Sequence, residues 1–245
     1  QDIGGWNVSK VRDVYRMFYS EFHDGQNRIV PFNQDISNWN TSNFKNMTEM
    51  FASKSPCPSG AFQNGGQALD WDDGFRGQAN MNLMFYRSNF NKDISAWDTS
   101  NVVNMSRMFE SSSFNNGGVA MCWNDGFASN NTMEKMFYQN NQINVDLSCW
   151  DTSNVINMIS MFEYAVNFKN GGVALNWDDG FGIDANLSRI FRETQYSFNQ
   201  DISSWNTSNV KNMSNMFDRN YVFNNGQGAG QSTATLNTWD TSNVE

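Results

Sequence analysis

The sequence predicts an α/β repeat solenoid: a leucine-rich-repeat-like, right-handed coil of short parallel strands and short helices, with about nine coils. Three observations predict it. A tryptophan returns at a regular interval, a Met-x-x-Met-Phe element follows it, and two versions of the repeat alternate along the chain. Chains that repeat every roughly 20–50 residues build stacks in which each unit buries its apolar face against its neighbours.

The tryptophan is the fixed point of the repeat. Successive copies lie 26 to 34 residues apart, and each is followed by Asn or Asp. A buried Trp removes roughly 150–250 Å² from water, so a Trp at the same place in every repeat indicates an interior column. The predicted core column consists of Trp6, Trp39, Trp71, Trp97, Trp123, Trp150, Trp177, Trp205 and Trp239.

Each coil is predicted to contain one strand and one short helix. The segment that leads into the Trp, D-I-S-x-W in one version and A-[LM]-x-W in the other, is typical of a brief strand. After it, Val102, Met105, Met108 and Phe109 are spaced i, i+3, i+6 and i+7, which places them on one face of a helix. Residues 98–100 read Asp-Thr-Ser, which are helix-capping types.

The whole chain, 1–245, is predicted to be a single repeat solenoid. Longer connections interrupt the rhythm near 19–31, 52–61 and 224–235, and such insertions usually lie on one side of a solenoid. The first residues continue a repeat and the last stop within one, so we expect the solenoid to be truncated at both ends.

Composition and charge exclude several classes of function. The net charge is −9 with only 16 basic residues, which disfavours nucleic acid binding. No apolar stretch approaches the roughly 20 residues of a transmembrane helix, so no direct membrane insertion is expected in this segment. His23 is the only histidine and no nucleophile motif accompanies it, so we expect no enzyme activity and no cofactor.

Acidic residues beside a glycine leave two interpretations open. Asp70, Asp72 and Asp73 precede Gly74, and related copies read N-D-G and D-D-G. Crowded carboxylates can hold calcium. The spacing is not that of an EF-hand, however, and a tight turn whose glycine has positive φ explains the same pattern.

Cys122 and Cys149 precede Trp in consecutive coils. Stacking in register would bring their Cα atoms within the roughly 4.4–6.8 Å of a disulfide, although reduced, stacked thiols remain an alternative. Cys57 has no evident partner.

Asparagine recurs before the first Met of the repeat. Stacked asparagines are expected to bond to one another and to the adjoining coil. The repeat also generates candidate N-glycosylation sequons at Asn7, Asn40, Asn46, Asn104, Asn130, Asn186, Asn206 and Asn212.

The string F-N-Q-D-I-S-S-W-N-T-S-N-V-K-N-M-S-N-M-F at 198–217 resembles the BspA-like surface-protein repeat, which also occurs in mycoplasma surface lipoproteins. The resemblance covers nearly the whole chain. It implies a leucine-rich-repeat-like solenoid displayed outside the cell, in proteins that mostly serve adhesion or interaction, and it supplies no catalytic motif.

Two functions fit these observations. The first is a non-enzymatic repeat protein at the cell or virion surface that adheres to a protein or glycan partner. The second is a structural subunit of an extracellular assembly, such as a fibre, sheath or virion surface, that assembles with neighbouring subunits.

Overall fold

The computed structural model describes residues 2–20, 32–54, 62–227 and 236–245. In these ranges the chain forms stacked coils that share one open, six-stranded parallel sheet in the order β1 to β6. Its strands are β1 Ala79–Asn80, β2 Val102–Asn104, β3 Asn131–Thr132, β4 Val155–Asn157, β5 Ala185–Asn186 and β6 Val210–Asn212. Most of the three predicted insertions, together with His23 and Cys57, lies outside the described residues.

Parallel stacking brings equivalent residues of the repeat side by side. Asn80 pairs with Asn104, and the same register continues through Thr132 and Asn157 to Asn186 and beyond. Isolated bridges extend it backwards to the coils that precede β1. The fold is therefore consistent with the predicted repeat solenoid at the level of parallel, stacked units.

The predicted short helix is wrong. Among the described residues the only helices are single 3-10 turns at the N-G-G segments: Asn64–Gly66, Asn116–Gly118 and Asn170–Gly172. The Met-x-x-Met-Phe element instead forms consecutive turns, in which Met84 N–H donates to the carbonyl of Met81 and Tyr86 N–H to that of Leu83. Leu83 has φ +57°, a left-handed conformation that an α-helix does not contain.

Hydrogen bonds between coils explain why these turns form. In the Met-x-x-Met-Phe segment, the backbone N–H of every second residue points along the stack and donates to a carbonyl of the next coil. In one coil the pairs are Met81–Asn104, Leu83–Ser106, Phe85–Met108 and Arg87–Glu110, with N···O distances of 2.8 to 3.0 Å. Four such bonds recur from the coil of Val14 to that of Leu187. We call this set the turn ladder. An α-helix would use these N–H donors within the coil, so the turn ladder between coils could not form.

The predicted strand position is also wrong. The strands follow the Trp, and the D-I-S-x-W segment before it is a turn. Asp93 Oδ1 accepts the Ser95 N–H at 2.9 Å, and Asn116 Oδ1 of the next coil accepts the Ile94 N–H at 2.9 Å. Side-chain oxygens thus satisfy backbone donors that a sheet ladder would otherwise take.

The tryptophan column is present, with one exception. Seven tryptophans, from Trp39 to Trp205, are at most 1% exposed. From Trp71 to Trp239 the indoles stack, with ring centroids 5.1 to 6.4 Å apart. Trp239 is partly buried, whereas Trp6 is 47% exposed, so its assignment to the core is corrected. The Trp6 indole has no stacked tryptophan neighbour among the described residues.

Indole hydrogen bonds tie each coil to the one before. The Trp123 Nε1–H donates to the Ile94 carbonyl at 3.0 Å, and Trp150 donates to Met121 at 2.6 Å. The phenylalanines of the Met-x-x-Met-Phe element form a second column, with centroid distances of 5.2 to 5.8 Å from Phe51 to Phe217. Stacked aromatic rings therefore occupy much of the interior, together with buried methionines.

In the ranges that the structure covers, none of the helices combines the length and apolar character required to cross a membrane.

Candidate binding surface

The strand register creates a row of polar side chains on the outer face of the sheet. Each lies just before the first Met or its equivalent in the repeat, and the members after Asp13 are partly exposed. We call this set the polar row: Asp13, Asn46, Asn80, Asn104, Thr132, Asn157, Asn186 and Asn212. Neighbouring members are one strand spacing apart, about 4.8 Å.

The asparagines of the polar row hold their own turns. Asn104 Oδ1 accepts the Ser106 N–H at 2.9 Å, and Asn186 Oδ1 accepts the Ser188 N–H at 3.0 Å. Among the described residues, Asn46 is the only asparagine that bonds along the row, donating from Nδ2 to Asp13 Oδ1 at 3.2 Å. The expected asparagine-to-asparagine ladder is therefore corrected to a set of local turns.

This geometry leaves the amide nitrogens available. The Nδ2 groups of Asn80, Asn104, Asn157, Asn186 and Asn212 have no hydrogen-bond partner among the described residues. Each amide carries two N–H donors. The sheet face therefore offers donors at a regular spacing, with their orientation fixed through the bonded oxygen.

A shallow groove of about 630 Å³ follows the beginning of the polar row. Its walls include Gln78 and Asn130, which have φ of +63° and +61° and are exposed. Ser129 and Asn130 also line a second groove of about 280 Å³, so the two adjoin. The residues that line the larger groove are Arg12, Asp13, Lys45, Asn46, Gln78, Asn80, Val103, Asn104, Ser129 and Asn130.

Sequence reasoning missed most of this groove. Gln78 and Asn130 occupy positions where the second repeat version varies, so no pattern marks them. Arg12 and Lys45 looked like scattered basic residues because their copies read Val103 and Ile156 in later coils. The one available signal was the register, which aligns Arg12 with Lys45 once the coils stack.

The acidic segments before glycine form tight turns with a positive φ at the glycine, which is the second of the two interpretations. Gly74 has φ +72°, and the Thr41 Oγ1–H donates to its carbonyl at 3.0 Å. Burial raises the pKa of Asp70, and the nearby carboxylates of Asp93 and Asp72 raise it further. Across the described ranges, no group of three or more His, Cys, Asp or Glu side chains could hold a metal ion.

Cys122 and Cys149 are brought together. Their Cα atoms are 5.2 Å apart and the structure joins them by a disulfide. The pair is half-buried and lies beside two stacked indoles, Trp123 and Trp150, whose centroids are 5.3 Å apart. The bridge links two consecutive coils, 27 residues apart in sequence.

The candidate sequons fall in three places: the turn after Trp, the wall of the groove and the polar row. Asn7, Asn40 and Asn206 are exposed in the turn after Trp, where each oxygen accepts a serine N–H at 3.2 Å. Asn130 lines the groove. The other four, Asn46, Asn104, Asn186 and Asn212, belong to the polar row, so a glycan there would cover it.

Charged side chains cluster elsewhere, after the Phe of the repeat. Arg192 contacts Glu163 in the preceding coil at 2.5 Å and Asp218 in the following coil at 2.9 Å. The Glu163 side chain is only 6% exposed. Glu110 occupies the place equivalent to that of Glu163, and its buried Oε2 lies 3.7 Å from Arg107 Nε but accepts no hydrogen bond among the described residues. Burial raises the pKa of Glu110.

The comparisons identify a family for this chain. The family described as "Mycoplasma protein of unknown function, DUF285" matches residues 1–56, 61–177 and 183–245. No match was found among curated proteins or among solved structures. Because the matched segments span nearly the whole sequence, the chain belongs to the Mycoplasma DUF285 family.

Proposed function

We propose that this chain is a non-enzymatic adhesion or interaction module, displayed on the outside of a cell or virion, that binds an extended protein or glycan partner along the polar row. In this proposal the chain is a right-handed solenoid of about nine coils of the BspA-like type. Its binding face is the exposed side of the parallel sheet.

The observation that carries the proposal is the set of unpartnered amide donors. The Nδ2 groups of Asn80, Asn104, Asn157, Asn186 and Asn212 face outward while their oxygens are fixed by the turns. A repeat protein that needed asparagine only for its turns could use Asp, as Asp13 does when it accepts the Tyr15 N–H at 2.9 Å. The amide adds donors that the fold itself does not use.

The expected affinity per molecule is modest. A hydrogen bond contributes about 0.5–1.5 kcal/mol net, so four or five of them supply about 2–7.5 kcal/mol, which corresponds to a Kd between tens of millimolar and a few micromolar. Adhesion at a surface gains strength from many copies bound together, which raises avidity by about 10²–10⁴-fold. A shallow polar face is therefore adequate for adhesion.

The proposed location outside the cell rests on the Cys122–Cys149 disulfide. Disulfides persist in oxidising compartments and are rare in a reducing cytosol. The resemblance to surface-protein repeats supports the same location.

The test replaces two asparagines by aspartate. The Asn80→Asp/Asn104→Asp variant keeps both turn oxygens but removes two amides and adds two negative charges. We expect binding to immobilised polysaccharides or extracellular-matrix proteins to weaken about 30-fold, because each lost donor removes about 1 kcal/mol. The control is Asn206→Asp, in a turn where Asp98 and Asp151 occur naturally. Equal binding by both variants would refute the proposal, and concentration-dependent self-association without partner binding would favour the structural-subunit alternative.

A further inference from the structure

Two cations lie side by side at one end of the larger groove. Arg12 and Lys45 occupy the same place in consecutive coils, where the Lys45 N–H donates to the Arg12 carbonyl at 2.8 Å. Both are exposed. Neither side chain makes an ion pair or hydrogen bond with any residue that the structure describes.

This arrangement favours a negatively charged ligand. Like charges in adjacent coils repel, and the backbones that carry Arg12 and Lys45 are about one strand spacing of 4.8 Å apart. The remaining charged group in the groove lining is Asp13, whose Oδ1 already accepts the Asn46 amide and the Tyr15 N–H. The end of the groove therefore carries a net charge of +1 (Arg12 and Lys45 against Asp13) within a chain whose net charge is −9.

The rest of the lining is neutral and polar. Asn80 and Asn104 offer amide donors, and Gln78, Ser129 and Asn130 add polar groups. Val103 is the only apolar side chain among the lining residues. Protein partners are usually anchored by aromatic or aliphatic side chains in desolvated pockets, which this groove does not provide. Two cations are also too few for a nucleic acid backbone.

We propose that Arg12 and Lys45 form a carboxylate subsite for an acidic glycan whose following sugars lie along Asn80 and Asn104. The proposal rests on the proposed function and names its ligand class. The guanidinium and ammonium groups make charge-assisted hydrogen bonds to one carboxylate, which are stronger than bonds between neutral groups. The amide donors then bind hydroxyl and carbonyl oxygens of the neighbouring sugars.

The experiment measures binding of the full chain to oligosaccharides by isothermal titration calorimetry. The probes are hyaluronan, polysialic acid and alginate fragments, which carry carboxylates, and neutral dextran of similar length. At least one carboxylate probe should bind more tightly than dextran. Arg12→Gln/Lys45→Gln should weaken that binding at least tenfold and abolish its salt dependence. Arg12→Lys/Lys45→Arg, which keeps both charges, should retain most of it.

The control is Lys169→Gln, because Lys169 is exposed and lies outside the groove lining. The subsite is refuted if no carboxylate probe binds, or if Arg12→Gln/Lys45→Gln binds like the parent. In either case the proposed function survives when dextran or a protein ligand still binds and Asn80→Asp/Asn104→Asp weakens that binding. If no probe shows binding that Asn80→Asp/Asn104→Asp weakens, both the subsite and the proposed function are refuted.

Discussion

Removal of one indole from the interior column tests the fold most directly. Trp123 is 0% exposed, lies between Trp97 and Trp150, and donates its Nε1–H to the Ile94 carbonyl. Burial of roughly 150–250 Å² at about 25 cal/mol per Å² corresponds to about 4–6 kcal/mol as an upper bound. The Ile94 carbonyl would also lose its partner. Substitutions of this kind in protein cores cost about 3–5 kcal/mol, which is the loss that we expect for Trp123→Ala.

The chain supplies a matched control. Trp6 occupies the same place in the repeat but is 47% exposed, and its indole N–H has no acceptor among the described residues. Trp6→Ala should therefore cost less than about 1 kcal/mol, as is usual for surface substitutions.

The assay combines urea unfolding with hydrogen exchange. Because each coil contacts only its neighbours, Trp123→Ala should increase amide exchange most in the coils of Trp97 and Trp150. Urea unfolding gives the total loss, and exchange shows where it falls. A loss below about 1 kcal/mol, or one equal to that of Trp6→Ala, would refute the interior column.

Three further predictions concern charge and the disulfide. Burial raises the pKa of Glu110, so ionisation of this carboxyl destabilises the fold as the pH rises through that pKa. Glu110→Gln should therefore stabilise the protein by about 1 kcal/mol at pH 7 and have no effect below about pH 4. Urea unfolding at both pH values measures this difference. Arg192→Gln removes the partner of the Glu163 carboxylate and should cost about 1–3 kcal/mol at pH 7; a neutral result would contradict the role assigned to this contact. Replacing Cys122 and Cys149 by serine opens a 27-residue loop and should lower the free energy of unfolding by about 2–4 kcal/mol. If the urea midpoint of the parent protein were the same under reducing and oxidising conditions, this would show that the bridge does not form.

The stacking of the coils could be predicted from the sequence because it depends on the spacing of large side chains. Tryptophans in one register can be buried together only if the chain returns to the same place, and seven of the nine are fully buried. The exposure of Trp6 could not be predicted from the Asp-Ile-x-x-Trp-Asn pattern, because the buried Trp39 has the same pattern.

The conformation within a coil could not be predicted from the same spacing. Residues at i, i+3, i+6 and i+7 share one face of a helix, and they also share one face of consecutive turns. The difference lies in residues such as Leu83 and Arg107, whose φ is near +57° although neither residue type favours it. Bonds to the next coil stabilise this conformation, and those bonds depend on the whole stack.

The candidate site was only partly visible in the sequence. The asparagines before the first Met were evident as a recurrent feature, but whether their oxygens bonded along the stack or within the turn depended on side-chain geometry. Arg12 and Lys45 are 33 residues apart and become neighbours only through the register.

The turn ladder gives the stack a direction. In every described coil from Val14 to Leu187, its four N–H donors point towards the coil that follows, so opposite faces of a coil are chemically different. If two chains met through such faces, they could pair only head to tail, with the N–H donors of one chain against the carbonyl acceptors of the other. A two-fold symmetric dimer is incompatible with that contact, because it would place like faces together. Assembly through these faces would give polar filaments, in which every subunit has the same orientation.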